Sequence, residues 1–132
     1  MAIVFLVDEN LGINLVTGLR SFGHNNVEHV LENFSPGTID EVWLKYAGEH
    51  GYAIITKDKN IRKNPLEKAM LKKYNIVAFY LGGKQAGTTD IGKQLMLAWD
   101  KMEACAKRQQ KKGIAGAFRI NLHGRIEEIP LD

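Results

Sequence analysis

The chain has 132 residues, of which 45% are hydrophobic, and a formal net charge of +3. This length suits one domain with a buried core, here expected over residues 1–132, and a single cysteine, Cys105, excludes an internal disulfide. No apolar run approaches the roughly 18 residues of a membrane-spanning helix, and no basic segment precedes the first strand as in a signal peptide, so we expect a cytoplasmic protein without membrane contact.

The charges are unevenly distributed along the chain. Residues 1–60 contain 4 Lys/Arg and 8 Asp/Glu, whereas residues 61–132 contain 14 and 7. An acidic half beside a basic half is typical of a cation site next to a polyanion path, although basic residues also simply solvate helix faces.

The first predicted strand, residues 3–7, is a run of five apolar residues that continues into Asp8, Glu9 and Asn10. A strand that is apolar on both faces is typical of a parallel sheet covered by helices on both sides. In open sheets of this kind, ligands bind beyond the carboxyl ends of the strands, which is where Asp8 falls. Pleat geometry directs Glu9 to the opposite side of the strand from Asp8.

Strands and helices then alternate up to residue 83. Apolar runs predict the strands, and apolar residues spaced three and four apart predict the helices. The order βαβαβαβ predicts a right-handed parallel α/β sheet. The predicted strands cover 3–7, 26–30, 52–57 and 76–81, and the predicted helices run over 11–22, over 39–50 and onward from Pro65.

Two helix details are expected. Thr38 and Glu41 stand three residues apart, as in a capping box, so Glu41 is expected to bond back to the start of the second helix, which would bury Val42. The helix opened by Pro65 is expected to bury an apolar stripe that begins with Leu66.

The last third of the chain predicts a long helix over about 90–112 and a β-hairpin over about 114–131. The basic cluster at 107–112 also suits the negative end of a helix dipole. No fifth parallel strand is predicted. We therefore expect a three-layer α/β/α fold with its core in residues 1–83.

Three aspartates fall at comparable places: Asp8 after the first strand, Asp40 at the start of the second helix, and Asp58 after the third strand. In a 2-1-3-4 strand order, the ends of strands one and three are neighbours about 5 Å apart. Mg²⁺ and Mn²⁺ prefer oxygen ligands, and Mg²⁺ usually takes only one or two carboxylates directly. The pattern predicts a divalent-metal site that polarises a phosphoryl oxygen and lowers the pKa of a water molecule for attack on a phosphodiester.

Each acid also has an ordinary structural explanation. Asp8 or Asn10 could cap the first helix, Asp40 favours a helix N-terminus, and Asp58 suits an Asx turn. The coincidence of two buried strands that both end in Asp, joined by a helix that begins with one, favours the metal site. Polar residues nearby are candidates for holding a nucleic-acid backbone: Lys57, Lys59, Asn60, Arg62 and Lys84.

Four segments carry a specific combination of motifs: FLVDENL at 5–11, SFGH at 21–24, GTIDE at 37–41 and GYAIITKDKNI at 51–61. They resemble the PIN-like domains, specifically the compact branch related to VapC toxins of bacterial toxin-antitoxin pairs. The resemblance covers residues 3 to 83. It implies a metal-dependent endoribonuclease acting on single-stranded RNA, often a toxin silenced by a cognate antitoxin protein and often a homodimer.

The resemblance also implies roles for individual residues. Many PIN domains place a further Asp where this chain has Asn60, which bears on the number of metal ions. By motif, the catalytic, metal-binding acids would be Asp8, Asp40 and Asp58, with Asn10 and Thr56 shaping the site. Apart from the resemblance, Glu9, Glu41 and Asn60 are expected beside the site as supporting residues.

Two other functions are compatible with these residues. A PIN scaffold could bind RNA or an antitoxin while doing little chemistry, as Asn60 suggests. A receiver domain also carries acids after strands one and three, but it needs a hydroxyl after the fourth strand and a lysine after a fifth. Here the fourth strand ends in Leu81, Gly82 and Gly83.

Overall fold

The computed structural model describes residues 3–57, 60–85 and 87–131. Within these ranges six strands form one sheet in the order β2-β1-β3-β4-β5-β6, in which β6 alone runs antiparallel to its neighbour. The strands are β1 (Phe5–Val7), β2 (Val27–His29), β3 (Ala53–Lys57), β4 (Val77–Leu81), β5 (Gly116–Ile120) and β6 (Ile126–Ile129).

Helices cover both faces of the sheet. On one face α1 and α5 bury a core that includes Phe5, Phe79 and Trp99, and on the other α3 and α4 bury a second core around Leu6, Ile54 and other residues. The helices are α1 (Ile13–Ser21), α2 (Val30–Asn33), α3 (Asp40–His50), α4 (Pro65–Tyr74) and α5 (Thr88–Lys112), with a 3₁₀ turn (Ile61–Lys63) before α4. The predicted α/β/α class with a mainly parallel sheet is therefore confirmed.

The strand order confirms the predicted neighbours β2-β1-β3-β4, but the expected absence of a fifth parallel strand was wrong. β5 pairs in parallel with β4, with Phe118 beside Phe79. The connection between them is α5, whose 25 residues are ample for a crossover between parallel strands. The predicted hairpin is also present, because β5 pairs antiparallel with β6.

Several local expectations need correction. After β2 the chain forms the short helix α2, which the sequence patterns did not indicate, because the His29 side chain accepts a hydrogen bond from the Leu31 amide and the Glu32 side chain accepts one from the His29 amide. In α4 the buried positions are Glu67 and Leu71, whereas Leu66 is 77% exposed. Val42 is likewise exposed. None of the helices in the described ranges is both long and apolar enough to cross a bilayer.

Arg20 joins α1 to the edge of the sheet. Its guanidinium donates two hydrogen bonds of 2.8 Å to the Glu32 carboxylate and a third, also 2.8 Å, to the carbonyl of Val27 in β2. The hydrogen bond from Arg20 holds the pKa of the Glu32 carboxyl below its usual value. The pair is half exposed, so its contribution to stability is modest.

Replacing Glu32 with Gln should lower the free energy of unfolding by about 1 kcal/mol at pH 7. A depressed carboxyl pKa stabilises the fold above the unfolded-state pKa, and this contribution is lost as the pH falls through the folded-state pKa. The difference from wild type should therefore shrink between pH 7 and pH 3 in urea titrations. The exposed Glu49→Gln is the matched control, and an equal deficit at both pH values would contradict the prediction.

Candidate metal and nucleic-acid site

Asp8 lies at the carboxyl end of β1, where it is only 4% exposed. Its amide donates to the carbonyl of Ile55 at 3.0 Å, so the β1–β3 ladder continues one residue beyond the strand. Leu6 and Ile54 belong to the core under α3 and α4, and strand alternation places Asp8 and Thr56 on that same face. The Thr56 hydroxyl donates to Asp8 Oδ2 at 2.8 Å, which confirms the placement.

Asn10 completes a short hydrogen-bond chain. Its amide Nδ2 donates to Thr56 Oγ1 at 3.1 Å, so the Thr56 hydroxyl accepts from Asn10 and donates to Asp8. Thr56 is buried, whereas Asn10 is exposed. The structure thus brings together three residues that the sequence placed at two separate strand ends.

Glu9 links the loop before α3 to the end of β1. Its Oε1 accepts a hydrogen bond of 3.1 Å from the amide of Gly37, three residues before Asp40. Asp40 is half-buried in the first turn of α3, where its Oδ1 accepts a 3.3 Å bond from the indole of Trp43. Because α3 follows β2 and runs back to the start of β3, it begins at the sheet edge where β1 and β3 end.

The capping-box prediction for Glu41 was wrong. The residue at the N-cap of α3 is Ile39, without a side-chain cap, and the Thr38 hydroxyl donates to the carbonyl of Ser35 within the preceding turn. Glu41 instead accepts hydrogen bonds from Tyr74 at 2.6 Å and Lys73 at 3.1 Å, and these hold its pKa below the usual value. It therefore joins α3 to α4.

The predicted nucleic-acid contacts fall near the same edge. Lys57 ends β3 and Lys84 lies three residues past β4, and both are exposed. Asn60 has a positive φ of 61°, a conformation that Asn tolerates better than most residues, and it begins the 3₁₀ turn. Arg62 in that turn lies 3.8 Å from the Glu127 carboxylate. The predicted Asp58 and Lys59 lie outside the described residues.

The side chains at this edge offer oxygen atoms, which are the ligands that a hard divalent ion prefers. Asp8 and Asn10 offer carboxylate and amide oxygens, and no thiol or imidazole ligand is needed for Mg²⁺ or Mn²⁺. Over residues 3–57, 60–85 and 87–131, no group of three or more His, Cys, Asp or Glu side chains is arranged to hold a metal ion. Asp58, the acid that follows the third strand, is not among those residues.

One feature of this edge was missed from the sequence. Strand register aligns polar residues from five neighbouring strands in a single row on the α3/α4 face. Tyr80 in this row is buried, and its hydroxyl donates to Glu67 at 2.5 Å. We name the set the polar row: Asp8, Thr56, Tyr80, Arg119 and Glu127.

An apolar groove lies elsewhere on the described part of the chain. It measures about 670 Å³, lies between α1 and α5, and has an almost entirely apolar lining that includes Phe22, Met96 and Leu97. Because α1 and α5 cover the opposite face of the sheet from Thr56, this groove is separate from the acid-bearing edge.

A mainly parallel, doubly covered sheet with a buried acid at its carboxyl edge defines an α/β protein of the kind in which ligands commonly bind at that edge. Residues 3–83 match the family model described as a PIN-like domain, and the chain belongs to this family. The match spans β1 to β4 and includes every predicted metal-binding acid. Neither curated proteins nor solved structures give a significant match.

Proposed function

We propose that this protein is an endoribonuclease that uses Mg²⁺ or Mn²⁺ to hydrolyse phosphodiester bonds of single-stranded RNA in the cytoplasm. PIN-like domains are often nucleases, and the chain belongs to that family. The observation that carries the proposal is the buried Asp8 carboxylate at the strand edge, held by the Thr56 hydroxyl.

We assign each residue a role in the proposed reaction. Asp8, Asp40 and Asp58 would hold the ion, which would polarise a phosphoryl oxygen and favour ionisation of a water molecule. Thr56 orients one oxygen of Asp8, and Asn10 orients the Thr56 hydroxyl. Glu9 holds the loop that leads to Asp40, while Glu41 fixes α3 against α4.

The RNA backbone would pass over the basic side of this edge. Lys57, Arg62 and Lys84 lie on it as exposed cations, and Lys59 is placed there by the sequence alone. Such phosphate contacts supply affinity without base specificity.

Metal dependence tests this function directly. Purified protein should cleave a single-stranded oligoribonucleotide with Mn²⁺ or Mg²⁺, should stop when EDTA is added, and should resume when excess Mn²⁺ is restored. Asp58→Asn should abolish cleavage while the circular dichroism spectrum is unchanged. Cleavage that persists in EDTA, or full activity of Asp58→Asn, would refute the proposal.

We further propose that the enzyme is the VapC-like toxin of a toxin-antitoxin pair and acts as a homodimer. The resemblance of the segments at 5–11 and 51–61 to the VapC-related branch supports this. A small antitoxin-like reading frame beside this one, whose product suppresses the RNA cleavage, is the expected partner. Light scattering measures the mass in solution, which should correspond to two chains if the protein is a homodimer.

A binding module with little catalysis is the second candidate, and Asn60 is the observation that favours it. In that case wild-type protein should bind Mn²⁺ no better than Asp8→Ala does. The receiver-like alternative gains the fifth parallel strand that it requires, but β4 is followed by Gly82 and β5 by Asn121, without the required hydroxyl and lysine.

A further inference from the structure

Arg119 lies in the polar row although it belongs to β5, beyond the residues that match the family. The register pairs Thr56 with Tyr80 and Tyr80 with Arg119. Phe118 and Ile120 pack into the core under α1 and α5, so alternation directs Arg119 to the face that carries Thr56. Two strand spacings, about 10 Å, separate the backbones of Arg119 and Thr56.

The Arg119 side chain leans toward the edge that carries Asp8. Its guanidinium lies against Gly82, the residue that follows β4, so closely that a Cβ at this position would overlap Cζ, Nη2 and Nε. Gly82 does not have a left-handed backbone. The absence of a side chain at residue 82 therefore provides space for the guanidinium and is not needed for a turn.

The guanidinium of Arg119 has five N–H donors, more than a single carboxylate neighbour can satisfy. Glu127 stands opposite Arg119 on β6, and the same carboxylate lies 3.8 Å from Arg62. A shallow groove of about 240 Å³ opens at the ends of β4 and β5, and its mainly apolar lining includes Arg119, Leu122 and His123. A guanidinium binds phosphate through two parallel hydrogen bonds, which is the geometry that a nucleic-acid backbone requires.

We propose that Arg119 binds a phosphate of the RNA backbone beside the acid-bearing edge, so that β5 completes the nucleic-acid site. This inference rests on the proposed ribonuclease function for its substrate. The substrate group that Arg119 contacts would be a phosphodiester at the end of β4.

The test uses full-length protein and a fluorescent single-stranded oligoribonucleotide. In EDTA, Arg119→Gln should weaken binding about tenfold, since a hydrogen bond to a charged group is lost, and should lower the slope of log affinity against log salt by about 0.7. Arg119→Lys should restore part of the affinity. Arg125→Gln, an exposed charge change at the start of the hairpin's second arm, should match wild type.

Gly82→Ala provides a second variant that keeps the charge. The added methyl should displace the flexible end of Arg119 at little cost to folding, so it should weaken RNA binding in the same direction. Its effect should nearly vanish in an Arg119→Gln background. With Mn²⁺, the Arg119 variants should raise KM more than they lower kcat.

The outcomes separate the two proposals. RNA binding that depends on Arg119, without cleavage in any metal, would refute the ribonuclease and support the phosphate contact. Cleavage with KM and affinity unchanged in both Arg119→Gln and Gly82→Ala would refute the contact and leave the ribonuclease standing. Failure of folded wild-type protein to bind RNA would refute the contact. If Arg119→Gln does not fold, the RNA affinity and KM of Arg119→Lys and Gly82→Ala decide whether the phosphate contact exists.

Discussion

Asp8→Asn should remove metal-dependent RNA cleavage and leave the fold intact. The amide has nearly the same shape as the carboxylate and still offers an oxygen to the Thr56 hydroxyl, but it lacks the negative charge that would hold a divalent ion at the proposed site. Residues that only orient metal ligands typically contribute about 10–100-fold, so loss of a direct ligand should cost more than 100-fold in kcat/KM.

The assay compares Asp8→Asn with Asp100→Asn, the same change on the exposed side of α5. Cleavage of a single-stranded oligoribonucleotide is measured over a range of Mn²⁺ concentrations, because a weakened site is partly rescued by excess metal. Melting temperature is measured in parallel. Activity of Asp8→Asn within a few-fold of the Asp100→Asn control would remove Asp8 from the proposed site.

Thr56→Val should affect stability and metal binding together. Valine keeps the shape of threonine, but it removes the hydroxyl that donates to the buried Asp8 and accepts from Asn10. Loss of a donor to a buried carboxylate should lower the free energy of unfolding by about 1–3 kcal/mol. The loss of orientation should weaken Mn²⁺ binding by about 10–100-fold.

Thr56→Ser separates these effects from simple repacking, since it keeps the hydroxyl and loses one methyl group. Urea denaturation without metal measures the stability change, and calorimetric titration with Mn²⁺ measures affinity. The prediction is wrong if Thr56→Ser and Thr56→Val bind Mn²⁺ equally well.

The strand-end acids were predictable because two simple rules applied to them. Apolar runs before Asp8 and before Thr56 identified buried parallel strands, and the usual order of such sheets made their ends neighbours. The hydrogen bond between Thr56 and Asp8 follows from that register. Prediction of Asp58 used the same rules, and it stays a prediction because that residue lies outside the described ranges.

The incorrect predictions concern segments whose local sequence is compatible with two arrangements. Contacts with residues distant in the sequence determine which arrangement forms. A Thr three residues before a Glu is compatible with a capping box. The Glu41 carboxylate instead accepts hydrogen bonds from Tyr74 and Lys73 on α4. In α4 a rotation of the helix by one residue determines whether Leu66 or Glu67 faces the core. Glu67 is the buried residue, and its carboxylate accepts a hydrogen bond from the Tyr80 hydroxyl. The parallel pairing of β5 depends on residues about 40 positions away, which local patterns do not encode.

The position of β4 has a consequence for where this protein can be divided. The family match stops at Gly83, but every residue of β4 is buried and its far edge is hydrogen-bonded to β5. A fragment ending with the match would present that apolar edge to other chains and invite intermolecular strand pairing. The end of the family match therefore falls inside the hydrogen-bonded sheet, and a stable fragment should extend at least through β5.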